Sequence, residues 1–141
     1  MKRDIHLHRD YPHSINVVWR AITDPLIIKQ WMKMETNFRP EVGHEFHLRD
    51  VSGNWDGTLY GKVLEVEAPQ RLSYSFKGGM MRNSTTVMIS LAETSNGTRL
   101  TLRHTGFTGL TDIAISGIIG LGWRRMMKDL VATLNTSIGT Q

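Results

Sequence analysis

From Phe38 onward the apolar residues of this chain recur at every second position, and only after that run does it offer a helix long enough to cover a sheet. A period of two is what a strand buried on one side requires. "HEFHLRD" sets Phe46 and Leu48 on one side, and "GTLYGKVLEVE" follows, ending at Ala68-Pro69. "QRLSYSF" groups Leu72, Tyr74 and Phe76, and "TTVMISLAE" groups Val87, Ile89 and Leu91. Ser95-Asn96-Gly97 reads as a hairpin turn, after which "TRLTLRHTGF" returns with Leu100, Leu102 and His104 on one side. One earlier strand is predicted in "DIHLHRDY", where Ile5 and Leu7 alternate with His6 and His8.

The helices announce themselves by caps and by spacing. Ser14 is placed to cap "INVVWRAI", whose Ile15 and Trp19, like Val18 and Ile22, lie four apart. Asp24-Pro25 then starts "PLIIKQWMK", with a capping acid before a proline at the first helical position. In the final helix Trp123, Met127, Leu130 and Leu134 form a stripe at spacings of four, three and four. The pattern predicts one α+β domain over residues 1–141. A curved, antiparallel, six-stranded sheet grips the long C-terminal helix, and two short helices follow the first strand. The sheet has one apolar face, and the last helix is the cover available for it. A cavity between the two is the expected by-product.

Composition narrows the function classes. Hydrophobic residues at 40% and charged residues at 21% fit a globular chain. The absence of cysteine removes disulfides, thiol catalysis and thiolate metal sites, and agrees with a reducing, cytoplasmic location. The first residues, "MKRDIHLHRDYPHS", lack the apolar core of a secretory signal. The net charge of +4 raises the question of an anionic partner. The basic residues are scattered, however, with the densest group at Arg124, Arg125 and Lys128, and no nucleic-acid partner is expected. The stretch "DIAISGIIGLG", residues 112–122, is too short to cross a membrane and is interrupted by Ser116, Gly117, Gly120 and Gly122. It reads as a lid over the cavity, as an extension of the long helix into the core, or as an apolar patch that pairs two subunits.

Five blocks together resemble one family. "VVWRAITDPLIIKQWM", "FRPEVGHEF", "GKVLEVEAPQRLSYSF", "NGTRLTLRHTGF" and "GWRRMMKDL" are similar, in order and spacing, to the SRPBCC superfamily. Within it they look most like the group related to the C-terminal domain of the activator of the 90-kilodalton heat-shock chaperone ATPase. The likeness covers residues 9–134. It implies the helix-grip (START-like, Bet v 1-like) fold. Members bind lipids and hormones, cyclise polyketides or confer toxin resistance, so the resemblance does not select an activity. One departure is that His13 and Ser14 stand where relatives commonly carry Ala-Pro.

Candidate chemistry is sparse. His6 and His8 share a strand face, the spacing some metal sites use, but no third ligand is evident and no metal or cofactor is expected. His104 reads inward, either as a cavity group that orients a ligand or as a satisfied core histidine. Tyr60 and Tyr74 have hydroxyls that could face the cavity, and Met126 would join Trp123 and Met127 on its helix side. Glu65 and Glu67 share a face opposite Leu64 and Val66 and read as solvent-facing. No catalytic set stands out. The expected function is binding of a small hydrophobic or aromatic molecule, without catalysis, in a cavity lined by Leu48, Tyr74, Phe76, Ile89, Leu102, His104, Trp123 and Met127. The alternatives are a stress-related interaction module, with a chaperone or a second copy as partner, and a cyclase-like enzyme.

Overall fold

The structure is a computed structural model that describes residues 4–51, 57–78 and 81–138. Strand β1 (Ile5–Tyr11) leads into helices α1 (Ile15–Thr23) and α2 (Pro25–Met32). Six strands follow: β2 (Met34–Thr36), β3 (Glu45–Asp50), β4 (Thr58–Glu67), β5 (Arg71–Gly78), β6 (Thr85–Thr94) and β7 (Gly97–Thr105). Helix α3 (Gly109–Thr133) closes the fold. The strands form one antiparallel sheet in the order β1-β7-β6-β5-β4-β3-β2, in which β1 joins its far end by pairing with β7. This is the α+β helix grip that the alternating pattern predicts, with seven strands in place of six.

Local chemistry explains the start of the chain. The Ser14 hydroxyl accepts from Val17 N, and the Asp24 carboxylate accepts from Leu26 N, so each short helix has its side-chain cap. Lys33 then takes a left-handed backbone (φ 59°) that ends α2 and turns the chain directly into β2. With three half-buried residues, β2 is too short to show alternation, which is why the pattern does not reveal it.

The β4–β5 ladder slips between Val63 and Glu65. This bulge pushes Leu64 outward, 46% exposed, while Val66 still packs against the core. Leu64 and Val66 therefore do not share a side, contrary to the strict alternation expected of them. Glu65 and Glu67 both reach Arg71, at 3.6 and 4.0 Å.

Trp123, Met127, Leu130 and Leu134 are all buried against the concave face of the sheet, as their spacing predicts. The apolar stretch 112–122 is the first half of the same helix. Of its three readings, extension of the long helix into the core describes its inner side. Asp112 and Ser116 are buried, Ile115 and Ile119 pack on the core, and Gly120 faces Ile5 of β1. Its outer side carries Ile118 and Leu121, both well exposed, as is Leu110 just before it.

Asp112 pins this half of the helix. Its carboxylate accepts from Arg82 N at 2.8 Å, from Asn83 N at 3.1 Å and from Asn83 Nδ2 at 3.1 Å. The Arg82 backbone N–H, then the Asn83 donors, hold its carboxyl below the usual carboxylate range. A depressed carboxylate contributes stability that is present above the unfolded value and lost as pH falls through the folded one. Replacing Asp112 with Ala is expected to speed amide exchange across residues 113–121 while leaving the segment around Leu130 protected, as read by hydrogen-exchange mass spectrometry.

Candidate functional site

The period of two sends Phe76, Thr85, Val87, Leu102 and His104 to the concave side, under α3. His104 has no exposed surface. Trp123 Nε1 donates to its Nδ1 at 3.1 Å, and its Nε2 lies 2.7 Å from Thr85 Oγ1. Trp123 can only donate, so Nδ1 accepts and the proton sits on Nε2. His104 therefore donates to Thr85, and the Thr85 hydroxyl donates onward to Phe76 O at 2.7 Å. Every side-chain polar atom of this Trp123–His104–Thr85 relay has its partner. Rings enclose it: Phe76 stands edge-on to the imidazole at 4.9 Å, and Phe107 lies 4.6 Å away.

Burial drives the His104 pKa down to about 3, so the ring is neutral at physiological pH. Both nitrogens are engaged within the protein. This matches the satisfied-core alternative for His104, and neither nitrogen is open to a ligand.

The other half of the concave side is built differently. Phe38, Phe46 and Tyr74 form an edge-to-face trio, with ring centres 5.0 Å (Phe38 to Phe46), 5.2 Å (Phe46 to Tyr74) and 6.1 Å (Phe38 to Tyr74) apart. Phe46 lies across Gly61: a Cβ there would meet its ring at 2.5 Å and Ser75 O at 2.4 Å. Only glycine allows that approach. The Tyr74 side chain is buried, yet its hydroxyl has no hydrogen-bond partner among the described residues. No sealed side-chain polar atom among them lacks a partner, so this hydroxyl borders space that water can reach. Desolvation pushes its pKa well above the ordinary tyrosine value.

All eight residues expected to line a cavity are buried: Leu48, Tyr74, Phe76, Ile89, Leu102, His104, Trp123 and Met127. The structure brings Phe76, His104 and Trp123 into one ring cluster, and Ile89 faces Leu102 across the β6–β7 ladder. Tyr74 belongs to the separate trio. Tyr60, by contrast, is 62% exposed and turns its hydroxyl away from the interior, because β4 presents Leu59, Gly61 and Val63 inward. Met126 is only half-buried. His6 and His8 are exposed on the outer face of β1, and no group of three metal-ligating side chains occurs among the described residues.

Thr85, Phe38 and Phe107 escaped the sequence-level site. Thr85 was legible in principle, since it shares parity with Val87 and Ile89, but a threonine at a strand end carries no functional signal alone.

A hollow of about 660 Å³ opens at the outer end of the trio, between the α1–α2 junction and the connection from β2 to β3. Arg20, Thr23, Asp24, Pro25, Phe38 and Arg39 line it, among others. Phe38, 4% exposed, is both its floor and a member of the trio. A second, smaller hollow of about 400 Å³ lies between Ile15 and the β5–β6 edge, with Gln70, Arg71 and Ser90 around it.

The model of the family described as activator of Hsp90 ATPase homolog 1-like protein matches residues 12–135. Among solved structures, protein MLL2253 from Mesorhizobium loti is 30% identical, with a TM-score of 0.84 over 96% of this chain and 98% of that one. CalU16 from Micromonospora echinospora is 26% identical, with a TM-score of 0.75 over 99% of this chain and 80% of that one. Protein NE0264 from Nitrosomonas europaea is 26% identical, with a TM-score of 0.75 over 93% of each chain. No curated protein matches the chain.

The buried neutral histidine sets a pH dependence. Between about pH 6.5 and 3 the unfolded chain binds a proton at His104 that the folded chain refuses. Stability should therefore fall with falling pH by about 1.4 kcal/mol per unit through that window. Urea titrations of His104→Gln, whose amide can both accept and donate, should show this slope removed. His104→Ala should cost about 3 kcal/mol or more, because it leaves a void, strands the Trp123 N–H and takes the donor away from the Thr85 hydroxyl oxygen.

Proposed function

This chain belongs to the activator of Hsp90 ATPase homolog 1-like family, in the Bet v 1-like superfamily, and from that premise we propose that it binds a small, mainly apolar or aromatic molecule between its sheet and α3. The observation that carries this reading is the Tyr74 hydroxyl: buried, unpartnered among the described residues and bordering accessible space, inside a ring of aromatic edges. A buried polar group without a partner is costly, and a ligand that supplies one recovers that cost. The Phe38 floor of the outer hollow is the natural way in.

The eight lining residues divide by role in this reading. Leu48 and Tyr74 meet the ligand at the aromatic end. Phe76, Ile89, Leu102 and Met127 form the deeper apolar wall, which contributes about 25 cal/mol for each Å² of apolar surface removed from water, before entropic costs. His104 and Trp123 hold that wall in shape through their mutual hydrogen bond. Ligand binding is a role of non-catalytic type, and a cytoplasmic protein with this pocket would take its ligand from solution.

Native mass spectrometry of freshly purified protein, followed by denaturing extraction, tests the reading. A discrete extra mass released on unfolding is the expected result. Tyr74→Phe should keep the fold and weaken binding roughly fivefold, the worth of one hydrogen bond. A bare protein mass, with no thermal shift from a panel of apolar and aromatic compounds, would overturn it.

A further inference from the structure

The outer hollow carries a charge pattern that specifies more than an apolar ligand. Its walls are apolar at Phe38 and Pro25, and its charged members are Arg20, Asp24 and Arg39. Asp24 is committed: one carboxylate oxygen caps α2 at Leu26 N, 2.9 Å away, and the other faces Arg20 Nε at 3.9 Å. Arg39 has neither an ion pair nor a hydrogen bond to its side chain among the described residues. With Arg20 balanced by Asp24, the hollow keeps one net positive charge, and it sits on Arg39.

A solitary exposed arginine is ordinarily just a solvated surface group. Two features separate this one. First, Arg39 lies between Phe38, which floors the hollow and joins the aromatic trio, and Pro40, whose ring restricts the backbone of the residue before it. Second, the segment is braced on both sides. Asn37 Oδ1 accepts from His47 N at 2.9 Å, Asn37 O bonds His44 Nε2 at 2.8 Å, and Arg39 O accepts from Glu41 N at 2.8 Å. The backbone that carries Arg39 is thus fixed beside an aromatic floor, which sets where its side chain starts. A guanidinium offers parallel donors that match the two oxygens of a carboxylate.

We infer that the ligand of this site is a monoanion, a carboxylic acid on an aromatic or alicyclic body, with its carboxylate at Arg39 in the mouth and its ring on Phe38. The inference rests on the binder reading above and adds the class of ligand. One unbalanced cation suits one negative charge and does not suit a doubly charged phosphate. The chain's net charge of +4 favours the approach of anions in general.

Matched pairs of probes separate the two readings: benzoate, 2-naphthoate and 9-anthracenecarboxylate against their neutral amides, titrated by tryptophan fluorescence. The expected result is at least one pair whose acid binds about tenfold tighter than its amide, the lower end of a charge-assisted hydrogen bond. Arg39→Met should bring that acid down to its amide while leaving the amide and the melting temperature unchanged, and Tyr74→Phe should weaken both. Raising the salt concentration should weaken only the acid. Amides that bind as tightly as acids would overturn the monoanion inference and leave the binder reading standing. An acid preference that survives Arg39→Met would overturn the role of Arg39. Failure of all six probes, with no mass released from the native protein, would overturn both readings.

Discussion

The hydrogen bond from Trp123 to His104 is the contact on which the arrangement of helix and sheet depends. Apolar packing alone would let α3 rotate or slide over a concave surface of leucines and valines at small cost. A tryptophan N–H buried under the helix must find an acceptor, and the neutral His104 ring supplies one at 3.1 Å. The bond passes on through Thr85 to the backbone of β5, so three strands and one helix share a single polar line. Tyr11, donating to Met127 O at 2.8 Å, holds β1 to the next turn of the same helix. Asp112 secures the other end. The helix is located by polar contacts and held by apolar ones.

That division shapes what the interior can offer. Around His104 the polar groups are closed on one another, and burial keeps the ring uncharged. Around Tyr74 the aromatic edges are packed but the hydroxyl has no partner among the described residues. The proposed binding role uses both conditions: a rigid wall and a polar group left for a ligand to meet. The glycine at position 61 belongs to the second half, since it lets Phe46 lie across β4 beside Tyr74. The outer hollow meets this half through Phe38 and adds a charged rim to an apolar floor.

The membership of the chain in its family tells the fold and leaves the chemistry to particular side chains. Relatives with 26 to 30% identity share the helix grip over nearly the whole chain. At that level of identity the scaffold is common property. Function in such folds lies in the site placed on the frame.

Much of this was readable in one dimension. Alternation at Leu100, Leu102 and His104 placed the histidine inward, the caps at Ser14 and Asp24 located two helices, and the stripe from Trp123 to Leu134 identified the helix that the sheet would grip. Each rests on local geometry, a period or a cap, which neighbouring residues determine among themselves. What escaped were features with no local signature. The short β2 exists because β3 offers it an edge, Leu64 turns outward because one ladder slips, and Tyr60 faces water because β4 turns Leu59 and Gly61 inward. That the inner side of residues 112–122 is fastened to the core depends on Asp112 meeting Arg82 and Asn83, some thirty positions away in the chain. The sequence determined which faces are apolar and therefore the fold. The tertiary structure alone decided which buried polar atoms find partners and which, like the Tyr74 hydroxyl, find none among the described residues, because a hydrogen bond depends on distances between groups that the order of residues does not record.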